Sequence, residues 1–123
     1  MKPGHTGIAR IYKATGFSIQ GIKAAFKHEA AIRQEFFLLA FSAIFALAFD
    51  FSLTDKCLLM GSVIFLLIVE LLNSAVETVV DRVGSEYHEL SGRAKDIGSA
   101  AVFFALILVS MTWFVVLFNF FGQ

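Results

Sequence analysis

The chain is 123 residues long, enough for one domain, and 58% of it is apolar against 16% charged. Soluble domains average roughly 45–50% and about 25%, so this composition excludes a disordered chain and argues against a water-soluble fold. Ten Lys and Arg balance ten Asp and Glu, which leaves no electrostatic case for nucleic acid, and the single Cys57 excludes an intrachain disulfide or a multi-cysteine metal site.

The leading segment is basic. Lys2, Arg10, Lys13, Lys23, Lys27 and Arg33 stand against Glu29 and Glu35. Ile8 and Ile11, then Ile19, Ile22 and Phe26, recur at helical spacing, with Lys23 and Lys27 on another face and Gly16 between the two pieces. A basic amphipathic stretch beside a membrane span lies in the interface, so a surface helix is expected over about 6–27. No cleavable signal peptide fits, because the apolar run starts too late.

Crossing the hydrocarbon core takes about 20 mostly apolar residues, and three stretches qualify. Phe36 to Phe49 gives 14 uncharged residues, about 21 Å of helix. It reaches bilayer length when extended back to Ala30, with Arg33, Gln34 and Glu35 at the headgroups. Cys57 to Val80 runs for 24 residues interrupted only by Glu70 and Glu77. Ser52 and Asp55 ahead of it read as a capping box. Ile97 to Phe121 spans 25 residues without a charge.

The expected spans are therefore about 30–49, 54–81 and 92–121, with a polar loop from Arg82 to Asp96. The excess of basic residues puts the N-terminus and this loop on the cytoplasmic side, and the loop from Asp50 to Lys56 outside. The fold class is an all-α membrane protein.

The second span carries Glu70, Asn73, Ser74 and Glu77, followed by Asp81. A charged side chain at mid-bilayer costs on the order of 2.5–3.5 kcal/mol even on the insertion scale. Glu70 and Glu77 fall about 20° from alignment and about 10 Å apart along the axis, with Asn73 between them. Asn73 and Ser74 alone would serve helix assembly. Two carboxylates on one stripe instead require a proton or a cation, and hard oxygen donors suit Mg²⁺. Glu77 belongs at the cytoplasmic interface, and Glu70 about two turns deeper. Gly98, Ala101 and Ala105, with Ser42 and Ala46, permit close helix approach, so oligomerisation is expected as a shield for the polar stripe. Cys57 and Trp113 read as packing residues. Soluble kinase motifs are missing.

Residues 69–82, reading VELLNSAVETVVDR, continue after Val83 into 84–96, GSEYHELSGRAKD. With EAAIRQE at 29–35, this pattern resembles the prokaryotic integral-membrane diacylglycerol kinase family over nearly the whole chain. The likeness is closer to the Gram-negative type than to the related undecaprenol kinases.

That resemblance implies an inner-membrane homotrimer, each protomer with three spanning helices and a surface helix, that phosphorylates diacylglycerol from MgATP. It implies Glu70 as general base and Glu29 and Glu77 as ligands of the metal. Arg10, Phe17, Glu29, Glu77, Glu86, Tyr87, His88, Lys95 and Asp96 would contact ATP. Glu35, Lys56, Asn73 and Ser99, with Glu70, would position the lipid or the site. Phe17 stands where the family often has tyrosine, and Lys56 where arginine is more usual. The competing readings are an undecaprenol kinase and a small proton-coupled transporter. The latter would use a buried glutamate but usually needs a fourth span and no polar cytoplasmic loop.

Overall fold

The computed structural model describes residues 6–84, 86 and 88–122. It contains four helices in chain order: α1 (Gly7–His28), α2 (Ala30–Ala48), α3 (Leu53–Val83) and α4 (Glu89–Phe121). Helices α2, α3 and α4 are each long and apolar enough to cross a membrane.

Helix α1 runs unbroken through Gly16 and has no buried residue. It ends at one extended residue, Glu29 (φ −121°, ψ 113°), which is at once the C-cap of α1 and the N-cap of α2. The elbow is fixed by Arg33. Its guanidinium donates to the carbonyls of Phe26 at 2.7 Å and Lys27 at 3.1 Å, two of the acceptors a helix end leaves without partners. Phe26 and Phe36 pack across the bend with ring centroids 5.9 Å apart.

Helix α3 is the middle of the bundle and packs against both α2 and α4. Its buried residues Leu59, Val63, Leu66, Glu70 and Ser74 follow helical spacing. Small residues let the neighbours approach: Ser42 and Ala46 of α2 are fully buried and Ala105 of α4 nearly so, whereas Ala101 is exposed. Hydroxyls in these apolar helices bond back to their own chain, as Ser42 does to Leu38 O at 2.8 Å and Ser62 to Leu59 O at 3.0 Å. That local bond is how a polar group survives without water. Large apolar side chains such as Phe37, Ile44, Phe104 and Phe114 point outward, each more than 60% exposed. Such a surface suits hydrocarbon or other helices.

The end formed by the α2–α3 turn is closed by aromatic rings. Phe51 is 3% exposed and packs on Phe120 with centroids 4.3 Å apart, with Phe45, Phe49 and Phe121 around it. Ser52 Oγ accepts from the Asp55 amide at 3.1 Å and starts α3, half of the expected capping box. Trp113 Nε1 donates to Leu59 O at 3.2 Å, which satisfies the indole and ties α4 to α3 in one register. Cys57 is exposed.

The opposite end departs from expectation. The stretch from Arg82 to Asp96, expected as a loop, is mostly helix: Arg82 lies in the last turn of α3, and Glu89 to Asp96 form the first two turns of α4. Polar residues do not stop a helix where carbonyls and amides can pair within it, so α3 continues to Val83 and α4 begins at Glu89. At 31 and 33 residues the two helices measure about 46 and 50 Å, well beyond an apolar core of about 30 Å.

Phe51→Ala should lower stability by about 3 kcal/mol, read as an earlier unfolding midpoint in a detergent-denaturation titration.

Candidate functional site

Glu70, Asn73 and Glu77 occupy one stripe of α3. Asn73 Nδ2 donates to Glu70 Oε2 and to Glu77 Oε1, each at 3.4 Å. A side-chain amide has two N–H donors, so one residue can serve two carboxylates a turn apart on either side. Glu70 is only 9% exposed. From α2, the Glu35 carboxyl lies in the field of that of Glu70, while its Oε1 is buried without a partner. Two neighbouring carboxyls favour a proton or a cation between them.

The cluster continues toward the polar end of the bundle. Lys95 of α4 donates from Nζ to Asp81 Oδ1 at 2.9 Å and also lies in the field of Glu77. Lys95 lines a cavity of about 330 Å³ with Asp81, Gly84, Glu86, His88 and Ser91. His88 caps α4, its Nδ1 accepting from the Leu90 amide at 3.1 Å, so Nε2 is the nitrogen left for a ligand.

Glu29 lines a second cavity, a groove of about 680 Å³ between α1 and α3. Gly21, Ile22 and Ala25 form one wall and Leu71, Ser74, Ala75 and Thr78 the other. It is a largely apolar channel with the Glu29 carboxylate, the His28 imidazole and three hydroxyl-bearing residues, Ser18, Ser74 and Thr78, on its walls, a shape that fits a hydrocarbon chain with a polar head.

The structure thus brings Glu35, Glu70, Asn73 and Glu77 together, and gathers Glu86, His88 and Lys95 around one cavity. Other candidates stand apart. Arg10 and Phe17 lie on the exposed surface of α1, and Arg10 precedes Glu29 by about 28 Å of helix. Lys56 is in the first turn of α3, about 21 Å along the axis from Glu70. Asp96 faces a separate shallow groove with Glu89 and Arg93, and Ser99 is exposed. Tyr87 lies outside the described residues.

Three contributors were not among the expected site residues. Asp81 holds Lys95, and Ser74 and Thr78 line the groove. Thr78 falls four residues after Ser74 and so shares its face of α3, a signal available from spacing. The Asp81–Lys95 pair depends on how α4 is set against α3 and has no such signal.

Asp81→Asn should change stability by no more than about 1 kcal/mol, because an exposed ion pair contributes little. Thermal unfolding in detergent measures this.

Comparison with known proteins gives a consistent picture. The pattern of the family described as prokaryotic diacylglycerol kinase matches residues 16–117. A diacylglycerol kinase of Escherichia coli is 51% identical over 117 residues, covering 95% of this chain and 96% of the relative. One of Haemophilus influenzae is 48% identical over 113 residues, covering 92% and 96%. Another, of Pseudomonas aeruginosa, is 47% identical over 114 residues, covering 93% of each.

Proposed function

The chain belongs to the prokaryotic diacylglycerol kinase family, and from that membership we propose that it transfers the γ-phosphoryl group of MgATP to the primary hydroxyl of diacylglycerol, giving phosphatidic acid. The observation that carries the assignment of roles is the Asn73 amide bonded to both Glu70 and Glu77. It links a carboxylate in apolar surroundings to one beside the polar end of the bundle.

In this reading Glu70 takes the proton from the lipid hydroxyl as its oxygen attacks the γ-phosphorus and the bond to the ADP oxygen breaks. Phosphoryl transfer needs alignment and charge stabilisation more than covalent chemistry. Glu70, shielded from water, is suited to a proton-accepting task, and Glu35 and Asn73 orient it. Lys95 supplies positive charge where the phosphates arrive. The groove between α1 and α3 would receive an acyl chain of the lipid, with the hydroxyl end toward α3.

Among the described residues no three His, Cys, Asp or Glu side chains converge on one point. Glu29 and Glu77 offer carboxylate oxygens, the donor type that suits Mg²⁺, which takes one or two carboxylates and completes its shell with phosphate and water. Glu29 and Glu77 would hold it, and the ion would neutralise the phosphate charge. Glu86, His88, Lys95 and Asp96 would meet the nucleotide, together with Tyr87.

The basic N-terminal segment and the end carrying residues 82–96 would face the cytoplasm at a bacterial inner membrane, with α1 in the interface as an amphipathic surface helix. The separation of Arg10 from Glu29 along α1 exceeds what one triphosphate spans. We therefore assign Arg10 to the site of a neighbouring copy, within the homotrimer that the family resemblance implies. The outward apolar faces of α2 and α4 offer the surface for such packing.

Incubating the purified chain with γ-labelled ATP, Mg²⁺ and a panel of lipid alcohols should put label on diacylglycerol. Label on polyprenol alone, or none on any lipid, would contradict the reading. Glu70→Gln should lower kcat by about 10²–10⁴-fold while the Mg²⁺ titration midpoint stays in place. Glu77→Gln should move that midpoint to higher Mg²⁺, and an unchanged midpoint would remove it from the metal's ligands.

A further inference from the structure

A Cβ at Gly16, Gly21 or Gly61 would meet nothing within 4 Å. Gly98, in the third turn of α4, is different. A Cβ there would overlap the Oδ1 of Asn73 and crowd its Cγ at 3.2 Å. The amide oxygen of Asn73 therefore sits in the niche that the missing side chain leaves. In that niche Oδ1 is buried and has no hydrogen-bond partner. Nothing holds the oxygen there by attraction. The amide is held by its other end, whose Nδ2 donates to Glu70 and Glu77. The reverse orientation would turn the oxygen toward two carboxyls, which ionised carboxylates, being acceptors only, disfavour.

From these contacts we infer that Gly98 is a positioning residue for phosphoryl transfer: its lack of a side chain makes the room that keeps the Asn73 amide between Glu70 and Glu77. This rests on the roles given to those two carboxylates above. The crowded atoms are the far end of a flexible side chain and not backbone, so an alanine at 98 can be accommodated by turning the Asn73 amide away. The helix pair then survives, and Ala is the better helix former. What is lost is the bridge. Gly98 touches no reacting atom and acts only through Asn73.

The test is a double-mutant cycle of Gly98→Ala and Asn73→Ala in the full chain, purified in detergent–lipid micelles. Losing hydrogen bonds to charged groups corresponds to about 10–100-fold in rate. Gly98→Ala is expected to lower kcat by that range with the KM for diacylglycerol unchanged. It should also raise the Mg²⁺ concentration needed to bind a fluorescent ATP analogue, a readout that requires no turnover. In the Asn73→Ala background, the same substitution should change neither quantity by more than about twofold. Equal effects in both backgrounds, or wild-type kcat and Mg²⁺ dependence for Gly98→Ala alone, would overturn the inference. Should Gly98→Ala fail to fold, the double variant must fold as Asn73→Ala does, since the obstructing oxygen is gone. A double variant that also fails would show that Gly98 packs against something else. An error in the roles of Glu70 and Glu77 would surface in their own glutamine variants and leave the coupling between positions 98 and 73 intact.

Discussion

Helix α3 carries two carboxylates and an amide into surroundings where water is scarce, and each must be met by another group. An isolated ionised carboxyl in such a medium is too costly to persist. Glu70 is met by the Asn73 amide on its own helix and lies in the field of the Glu35 carboxyl from α2. Glu77 shares the same amide and lies in the field of Lys95. These contacts do not form a closed, self-satisfied network. One oxygen of Glu35 and the oxygen of Asn73 remain buried and unpaired, and two carboxyls lie in each other's field. An assembly built only for helix adhesion would not leave that combination. It suits a site that a proton, a cation and a substrate complete.

The rest of the fold keeps this arrangement in register. At one end the aromatic cluster around Phe51 and the Trp113–Leu59 hydrogen bond lock α4 against α3. Leu59 and Asn73 are separated by 14 residues on α3, and Gly98 and Trp113 by 15 on α4. The clasp at the far end therefore sets which residue of α4 lies opposite Asn73. At the near end α4 is set against α3 so that Lys95 meets Asp81. The elbow at Glu29, pinned by Arg33, brings α1 alongside α3 and forms the apolar groove beside the carboxylates.

Much of this was legible in the sequence. The apolar runs gave the three long helices, Ser52 and Asp55 the start of α3, and the seven-residue spacing of Glu70 and Glu77 their common stripe with Asn73. Small residues at Ser42, Ala46 and Ala105 marked real contacts. Polarity alone marks the stretch from Arg82 to Asp96 as a loop, whereas Arg82 and Val83 belong to α3 and α4 begins at Glu89, three residues before the expected span. The Asp81–Lys95 pair, the Arg33 clasp and the fit of Asn73 against Gly98 were not legible. Each depends on how two helices are set against each other, and no periodicity within one helix encodes that. The expected gathering of Arg10, Phe17, Lys56 and Ser99 rests on the family pattern, and the exposed positions of Arg10, Phe17 and Ser99 together with the remote turn holding Lys56 leave it to the assembled protein.

The central claim is that carboxylates of this bundle form part of a nucleotide-bound metal site at the membrane's edge. Electron–nuclear double resonance tests it most directly, using Mn²⁺ in place of Mg²⁺, a non-hydrolysable ATP analogue and protein labelled with ¹³C only at glutamate carboxyls. The account predicts a carboxyl ¹³C coupling to the ion that weakens in Glu77→Gln and persists in Glu35→Gln. A nucleotide-bound ion with no glutamate coupling, or a coupling indifferent to Glu77, would contradict it.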